Sequence, residues 1–247
     1  ASAVTNASGH RVDFIKDPRR VFRKEGWTGM WQRRELTNFQ YLMVLNKYAG
    51  RTLNDVAQYP VCPWVLADYR SARVAWADAG LFRDLSKPVG ALNAERLRVF
   101  VKRYEEMKED GVNGAVPPFL YGSHYSTVGA VTFWLTRLEP FSRVARELQG
   151  GGFDYPDRLF FNLDTAWENC LTSSSDVKEL VPEFFYLAEF FVNTNRYWLG
   201  RRQNGDTVAD VRLPAYTRGS PDLFVRFNAE ALEAPHASAH LHEWVDL

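Results

Sequence analysis

Apolar positions recur at helical spacing in seven stretches of the chain, and between them lie apolar runs that fit no period. After Thr37-Asn38, which supply a cap, Phe39, Leu42, Met43, Leu45 and Ala49 line one helical side, and Gly50 ends it. Asn93 precedes a second amphipathic pattern through Leu97, Phe100, Val101, Tyr104 and Met107. Gly111 to Pro118 reads as a loop. Ser126 or Thr127 opens a nearly all-apolar helix through Trp134 to Leu138, broken by Pro140, which predicts a central, buried element. Phe141, Val144, Ala145 and Leu148 form the next stripe, closed by the glycines at 150 to 152. Further helical patterns cover Phe161 to Leu171, Asp176 to Val181 and Ser220 to Leu232. Val208 to Leu213 alternates like a short strand.

Two runs break the helical rule. Tyr59 to Tyr69 is strongly apolar, yet Pro60 and Pro63 make it a poor helix, because proline lacks the amide donor and restricts the residue before it. Its Val61, Trp64 and Leu66 still need burial, so an extended segment threading the core is expected, and Leu81 to Pro88 reads the same way. The fold class is therefore mainly α, with a core of partly irregular, extended segments surrounded by helices.

Composition narrows the function. The 247 residues carry 15% aromatics, enough rings to build an extensive core. Thirty basic and thirty acidic residues leave no net charge, which argues against a nucleic-acid binder. Cys62 and Cys170 match no metal or redox spacing, so a reduced chain is the simpler reading. Within the longest stretch free of charge, Gly111 to Thr136, only Val128 to Leu135 is densely apolar, too short to span a bilayer. Residues 1–26 are polar and then basic (Arg19, Arg20, Arg23, Lys24) and read as a linker or docking arm; these cations also offer a peripheral membrane contact.

No stretch completes a catalytic motif. His240-Leu-His242-Glu243 has histidines two apart, which diverge on a helix, and lacks the order a zinc protease needs. Gly122-Ser-His124-Tyr-Ser126 lacks the second glycine of a nucleophile elbow. A hydrolase drawing on His124, His240, His242 and Glu243 is the competing reading. Asp154-Tyr-Pro-Asp157 is turn chemistry before it is a carboxylate pair. Charged residues interleaved with aromatics, as in Phe82-Arg83-Asp84 and Glu183-Phe-Phe-Tyr186, predict a core held by buried ion pairs and hydrogen bonds, since an unpaired buried charge is very costly.

These runs resemble one family. Trp31-Gln-Arg-Arg-Glu-Leu-Thr-Asn-Phe-Gln-Tyr-Leu42, Gln58-Tyr-Pro-Val-Cys-Pro-Trp-Val-Leu-Ala-Asp-Tyr69 and Phe82-Arg-Asp-Leu-Ser-Lys-Pro88 are similar to successive blocks of BEACH domains. So are Pro117-Pro-Phe-Leu-Tyr-Gly-Ser-His-Tyr-Ser126, Arg137-Leu-Glu-Pro-Phe141, Phe153-Asp-Tyr-Pro-Asp-Arg158 and Leu241-His-Glu-Trp-Val-Asp-Leu247. The collinear match covers residues 27–247. The resemblance implies a scaffold without enzyme activity or cofactor, cytosolic and peripheral to membranes, in vesicle, lysosome or autophagy-related traffic. It also implies an upstream PH-like domain, to which residues 1–26 would lead, and downstream WD repeats. The family pattern continues past Leu247 into an Ile-Phe-Gly-Tyr-Lys-Gln run, so a truncated C-terminal edge is expected. Exposed polar groups on irregular backbone are where sites tend to lie. Trp64, Asp68, Tyr69, Arg83 and Lys87 are accordingly expected to line the partner surface; no metal site is expected.

Overall fold

The computed structural model describes residues 4–5, 11–12, 17–110 and 116–247. Among them, Asp17 caps helix α1 (Pro18–Glu25), its side chain accepting from the Arg20 amide, and Pro18 sits at the first turn, where its missing donor costs nothing. Gly26, at φ 72°, turns the chain into α2 (Trp27–Gln32). The basic residues expected in a linker thus lie on a helix, exposed, while Phe22 on its inner side meets Tyr48 at 5.4 Å. The polar sequence hid this helix, although Asp-Pro before it is a start signal.

Thr37 opens α3 (Asn38–Tyr48) with a capping box: Thr37 accepts from the Gln40 amide, and the Gln40 side chain accepts from the Thr37 amide. The remaining helices are α4 (Ala94–Asp110), α5 (Val128–Trp134), α6 (Phe141–Leu148), α7 (Leu163–Thr172), α8 (Pro221–Glu233) and α9 (Pro235–Asp246). Asn93, Thr127, Asn162 and Ser220 accept from amides of the first turns of α4, α5, α7 and α8. Residues 111–115 of the expected loop lie outside the described residues. Among the described residues, strand structure is confined to a two-residue pair, Val4–Thr5 against Arg11–Val12, and isolated bridges.

The expected extended run is the spine of the core. Cys62 and Leu180 exchange both backbone hydrogen bonds at 2.9 Å, and on the other side Ala67 and Arg83 donate to Leu81 and Val65 at 2.8 Å. Three extended segments therefore lie side by side at the centre, with Trp64, Leu66 and Cys62 fully buried. This overturns the helical reading of Asp176 to Val181. Its amides pair with another segment rather than with their own turn, and Pro182 follows at once. Val208 to Leu213 is likewise extended: Arg212 bridges to Asn162, and the Val208 and Val211 amides donate to the Gly200 and Phe191 carbonyls, without a continuous strand pair. Helices cover this spine: Trp134 of α5 and Trp167 of α7 pack on Trp64 at ring distances of 5.5 and 5.0 Å. α8 adds Phe224, edge-on to Phe191 at 5.2 Å, and α9 adds Ala237 and Leu241.

Candidate functional site

Irregular backbone leaves amides and carbonyls that only side chains can satisfy. Glu179 joins one such amide to two side-chain donors. One carboxylate oxygen accepts from the Trp64 amide at 3.1 Å and the Arg83 guanidinium at 2.7 Å; the other accepts from the Trp244 indole at 3.1 Å. The Glu179 carbonyl accepts from the Trp134 indole, and the Lys178 carbonyl from the Trp64 indole. Arg83 returns a hydrogen bond to the Lys87 carbonyl at 3.0 Å. Asn46 closes the same system, donating to Val61 and Leu42 carbonyls while accepting from the Val61 amide. This is the buried ion-pair web that the interleaved charges predict, with charge-assisted bonds at its centre.

Beside it opens a mainly apolar cavity of about 870 Å³. Its walls are Leu42, Leu45 and Ala49 of α3, the turn Pro88–Gly90, the loop from Leu120 to Tyr125, and Trp244, Val245 and Leu247 at the end of α9. Glu179 and Val177 form its floor, and Arg51 stands at its rim, 5.7 Å from the Tyr125 ring centre. Gly90 is required here, because a Cβ would fall 2.2 Å from the Tyr121 ring. A second, more polar cavity of about 430 Å³ lies by α7, where the Lys178 ammonium pairs with Asp176 and sits 4.3 Å above the Phe133 ring.

The residues expected to line a partner surface separate into two groups. Trp64, Tyr69 and Arg83 are buried, spent on the core and its ion pair, and offer no surface. Asp68 and Lys87 reach solvent; Asp68 caps a turn by accepting from the Arg70 and Ser71 amides, and Lys87 pairs with Asp84 at 2.9 Å. The residues that sequence reasoning missed are Glu179 and Trp244. A partner for a buried Arg83 was required, but nothing in the sequence says which acid supplies it.

The candidate catalytic residues do not converge. His124 is exposed on the cavity loop; its Nδ1 lies 2.8 Å from the Ser126 carbonyl, and no carboxylate bonds to it among the described residues. His240 and Glu243 pair at 3.1 Å on α9, one turn apart, and His242 points into solvent; none of the three lines the cavity. Among the described residues, no group of three or more His, Cys, Asp or Glu could hold a metal ion. Nor is any helix there long and apolar enough to cross a membrane. Both cysteines are buried thiols, raised in pKa chiefly by burial.

Buried Glu183 is the other notable acid. One oxygen accepts from the Tyr59 and Tyr186 hydroxyls at 2.6 and 3.2 Å, and burial pushes its pKa up against those hydrogen bonds.

The comparisons with known proteins agree along the chain. The Beige/BEACH domain model matches residues 29–247. The chain is 52% identical over 217 residues to BEACH domain-containing protein B of Arabidopsis thaliana, covering 88% of this chain and 8% of that protein. It is 49% identical over 220 residues to BEACH domain-containing protein lvsD of Dictyostelium discoideum, 89% of this chain and 7% of the relative. A putative neurobeachin homolog of Caenorhabditis briggsae matches at 46% over 237 residues, 96% of this chain and 9% of the relative. The chain thus spans less than a tenth of each of these relatives, and such matches imply multi-domain parents. From the match over nearly its whole length, the chain belongs to the Beige/BEACH domain family.

Proposed function

We propose that this domain is a non-catalytic scaffold or adaptor module of a large membrane-trafficking protein, working through protein–protein contact. The observation that carries the reading is how the polar groups beside the cavity are used. The Glu179 carboxylate is held by Arg83, Trp64 and Trp244, donors from three separate segments of the core, and the Asn46 amide is spent on backbone. A general base must meet a proton of its substrate; here the buried acid is engaged by three donors of the core and serves as a structural hub. The family membership and the small share of the relatives that the chain covers support a module within a larger protein. An upstream PH-like domain, downstream WD repeats and a cytoplasmic location peripheral to membranes follow from the family resemblance. Asp68 and Lys87 are the members of the expected partner set with atoms available to such a neighbour.

The test is binding of this chain to the separately produced upstream segment of its parent, measured by calorimetry. A complex with a micromolar or tighter Kd is expected, and no binding at high micromolar concentration overturns the reading. A parallel assay follows hydrolysis of a p-nitrophenyl ester series by the wild type and His124→Ala. Equal background rates are expected; a rate that depends on His124 overturns the non-catalytic assignment.

A further inference from the structure

Away from the cavity, a small second core gathers Leu159, Leu199 and Val208 beneath half-buried Phe153, Phe161 and Tyr197. It fixes two surface segments, 153–158 and 196–201, against each other. Gly200, at φ 90°, lies so close to Pro156 that a Cβ would fall 2.5 Å from the ring, and Phe153 meets Tyr197 at 5.5 Å. In the extended run Tyr197-Trp198-Leu199 the inner two side chains anchor, so Trp198 is driven outward. Trp198 is 71% exposed and Tyr155 72% exposed. Two large rings stand largely in water on an ordered backbone, with the Arg158 guanidinium 5.2 Å from the Tyr155 ring centre, and forgo the burial that such rings find at contact surfaces.

The charges around these rings are unequal in kind. Arg143, Arg158 and Arg202 pair with Glu147, Asp154 and Asp157. Arg146, Arg196 and Arg201 have no carboxylate within ion-pair distance among the described residues. The Arg146 guanidinium also lies 5.8 Å from the Phe153 ring, which joins α6 to the same face.

We propose that this face docks an acidic segment of a partner protein, with Trp198 and Tyr155 as anchors and Arg146, Arg196 and Arg201 receiving its carboxylates. Guanidinium forks pair with carboxylates in a bidentate way, and Trp, Tyr and Arg are the residues that carry most binding energy at protein interfaces. A membrane fits less well. It responds to summed charge, and Glu147, Asp154, Asp157 and Asp206 offset four of the six arginines on and beside these segments, whereas separate carboxylates can still meet the three unpaired guanidiniums one by one. The face shares no residue with the cavity, so its test leaves the scaffold reading of that site untouched.

A phage library of random 16-residue peptides is selected on the wild-type protein and counter-selected on Trp198→Ser and on Arg196→Glu/Arg201→Glu. Thermal melts confirm that both variants, altered only at exposed positions, remain folded. Enriched peptides are expected to carry an excess of Asp and Glu. By fluorescence anisotropy they should bind the wild type at least about tenfold more tightly than either variant, and more weakly as salt rises. Absence of peptides that distinguish wild type from variants overturns the proposal, as does enrichment without acidic residues. Sedimentation of the wild type with phosphatidylserine vesicles, lost in the variants and without peptide enrichment, assigns the face to membranes instead.

Discussion

Glu179 accepts from an amide, a guanidinium and an indole on three different segments, so removing its charge leaves Arg83 buried and unpaired. Losing one partner of a buried pair costs about 3–5 kcal/mol, while replacing both by apolar groups of similar volume is often tolerated. Glu179→Gln and Arg83→Met are each expected to lose stability of about that size in urea unfolding. The double substitution Arg83→Met/Glu179→Leu should lose clearly less than the sum; additive losses would show that the two groups act independently. Glu183 gives a pH test. Its carboxyl ionises near 4.5 in the unfolded chain and higher in the folded one, so above 4.5 the folded state holds a proton that the unfolded state has released. Stability from this group therefore falls as pH rises through that window and then levels. Urea melts at pH 4.5, 6 and 7.5 should show this slope in the wild type and its absence in Glu183→Gln. Asp84 acts in the opposite sense: the Ser86 hydroxyl, then Lys87, pull its pKa down to about 2, so its contribution disappears only as pH falls below 3.8 toward 2. At this scale the chemistry was legible and the placement was not. Arg83 announced a buried partner, but its acid lies 96 positions away, and Trp64 and Tyr69 looked available only because the irregular backbone around them looked exposed.

Helix caps were the most readable elements. Thr37, Asn93 and Thr127, each marked in the sequence, accept from amides just inside their helices, because a short side-chain oxygen competes well for the first unsatisfied donors; Asn162 and Ser220, not marked as caps there, do the same for α7 and α8. Thr37→Ala should therefore cost about 1 kcal/mol in thermal unfolding; an unchanged melt would mean that the α3 start is held by Glu233, whose carboxylate also accepts from the Asn38 and Phe39 amides. The extended elements were readable only as non-helix. Prolines marked Tyr59 to Tyr69, whereas Asp176 to Val181 has helical spacing and is pulled straight by pairing with Cys62, a partner 118 positions away in sequence. Gly90→Ala tests how tightly such segments are set: the added methyl must displace the Tyr121 ring, at a cost of about 1–3 kcal/mol. A loss below 0.5 kcal/mol would mean that the cavity wall yields freely.

Across the whole molecule, one aromatic core runs from Leu42 of α3 to Leu241 of α9, so its parts should unfold together. Tryptophan fluorescence, which reports on the buried Trp64 and Trp134 among others, and far-ultraviolet circular dichroism should give coincident urea transitions; separated midpoints would mark independently stable parts. Mainly helical composition and an extended core were both readable from the sequence, because each depends on local pattern. The cavity was not, since its walls come from α3, three separate loops and α9, which meet only in the folded chain. The central junction has a further consequence in time. Trp64 and Arg83 reach Glu179 across loops of 115 and 96 residues, and closing such loops spends chain entropy before any contact rewards it. Refolding should therefore be slow for so helical a protein, with helices present early and the indole environment maturing late. During that interval Pro60 and Pro63, which offer no amide hydrogen, limit how the still unpaired segment from Tyr59 to Tyr69 can add to a wrong partner.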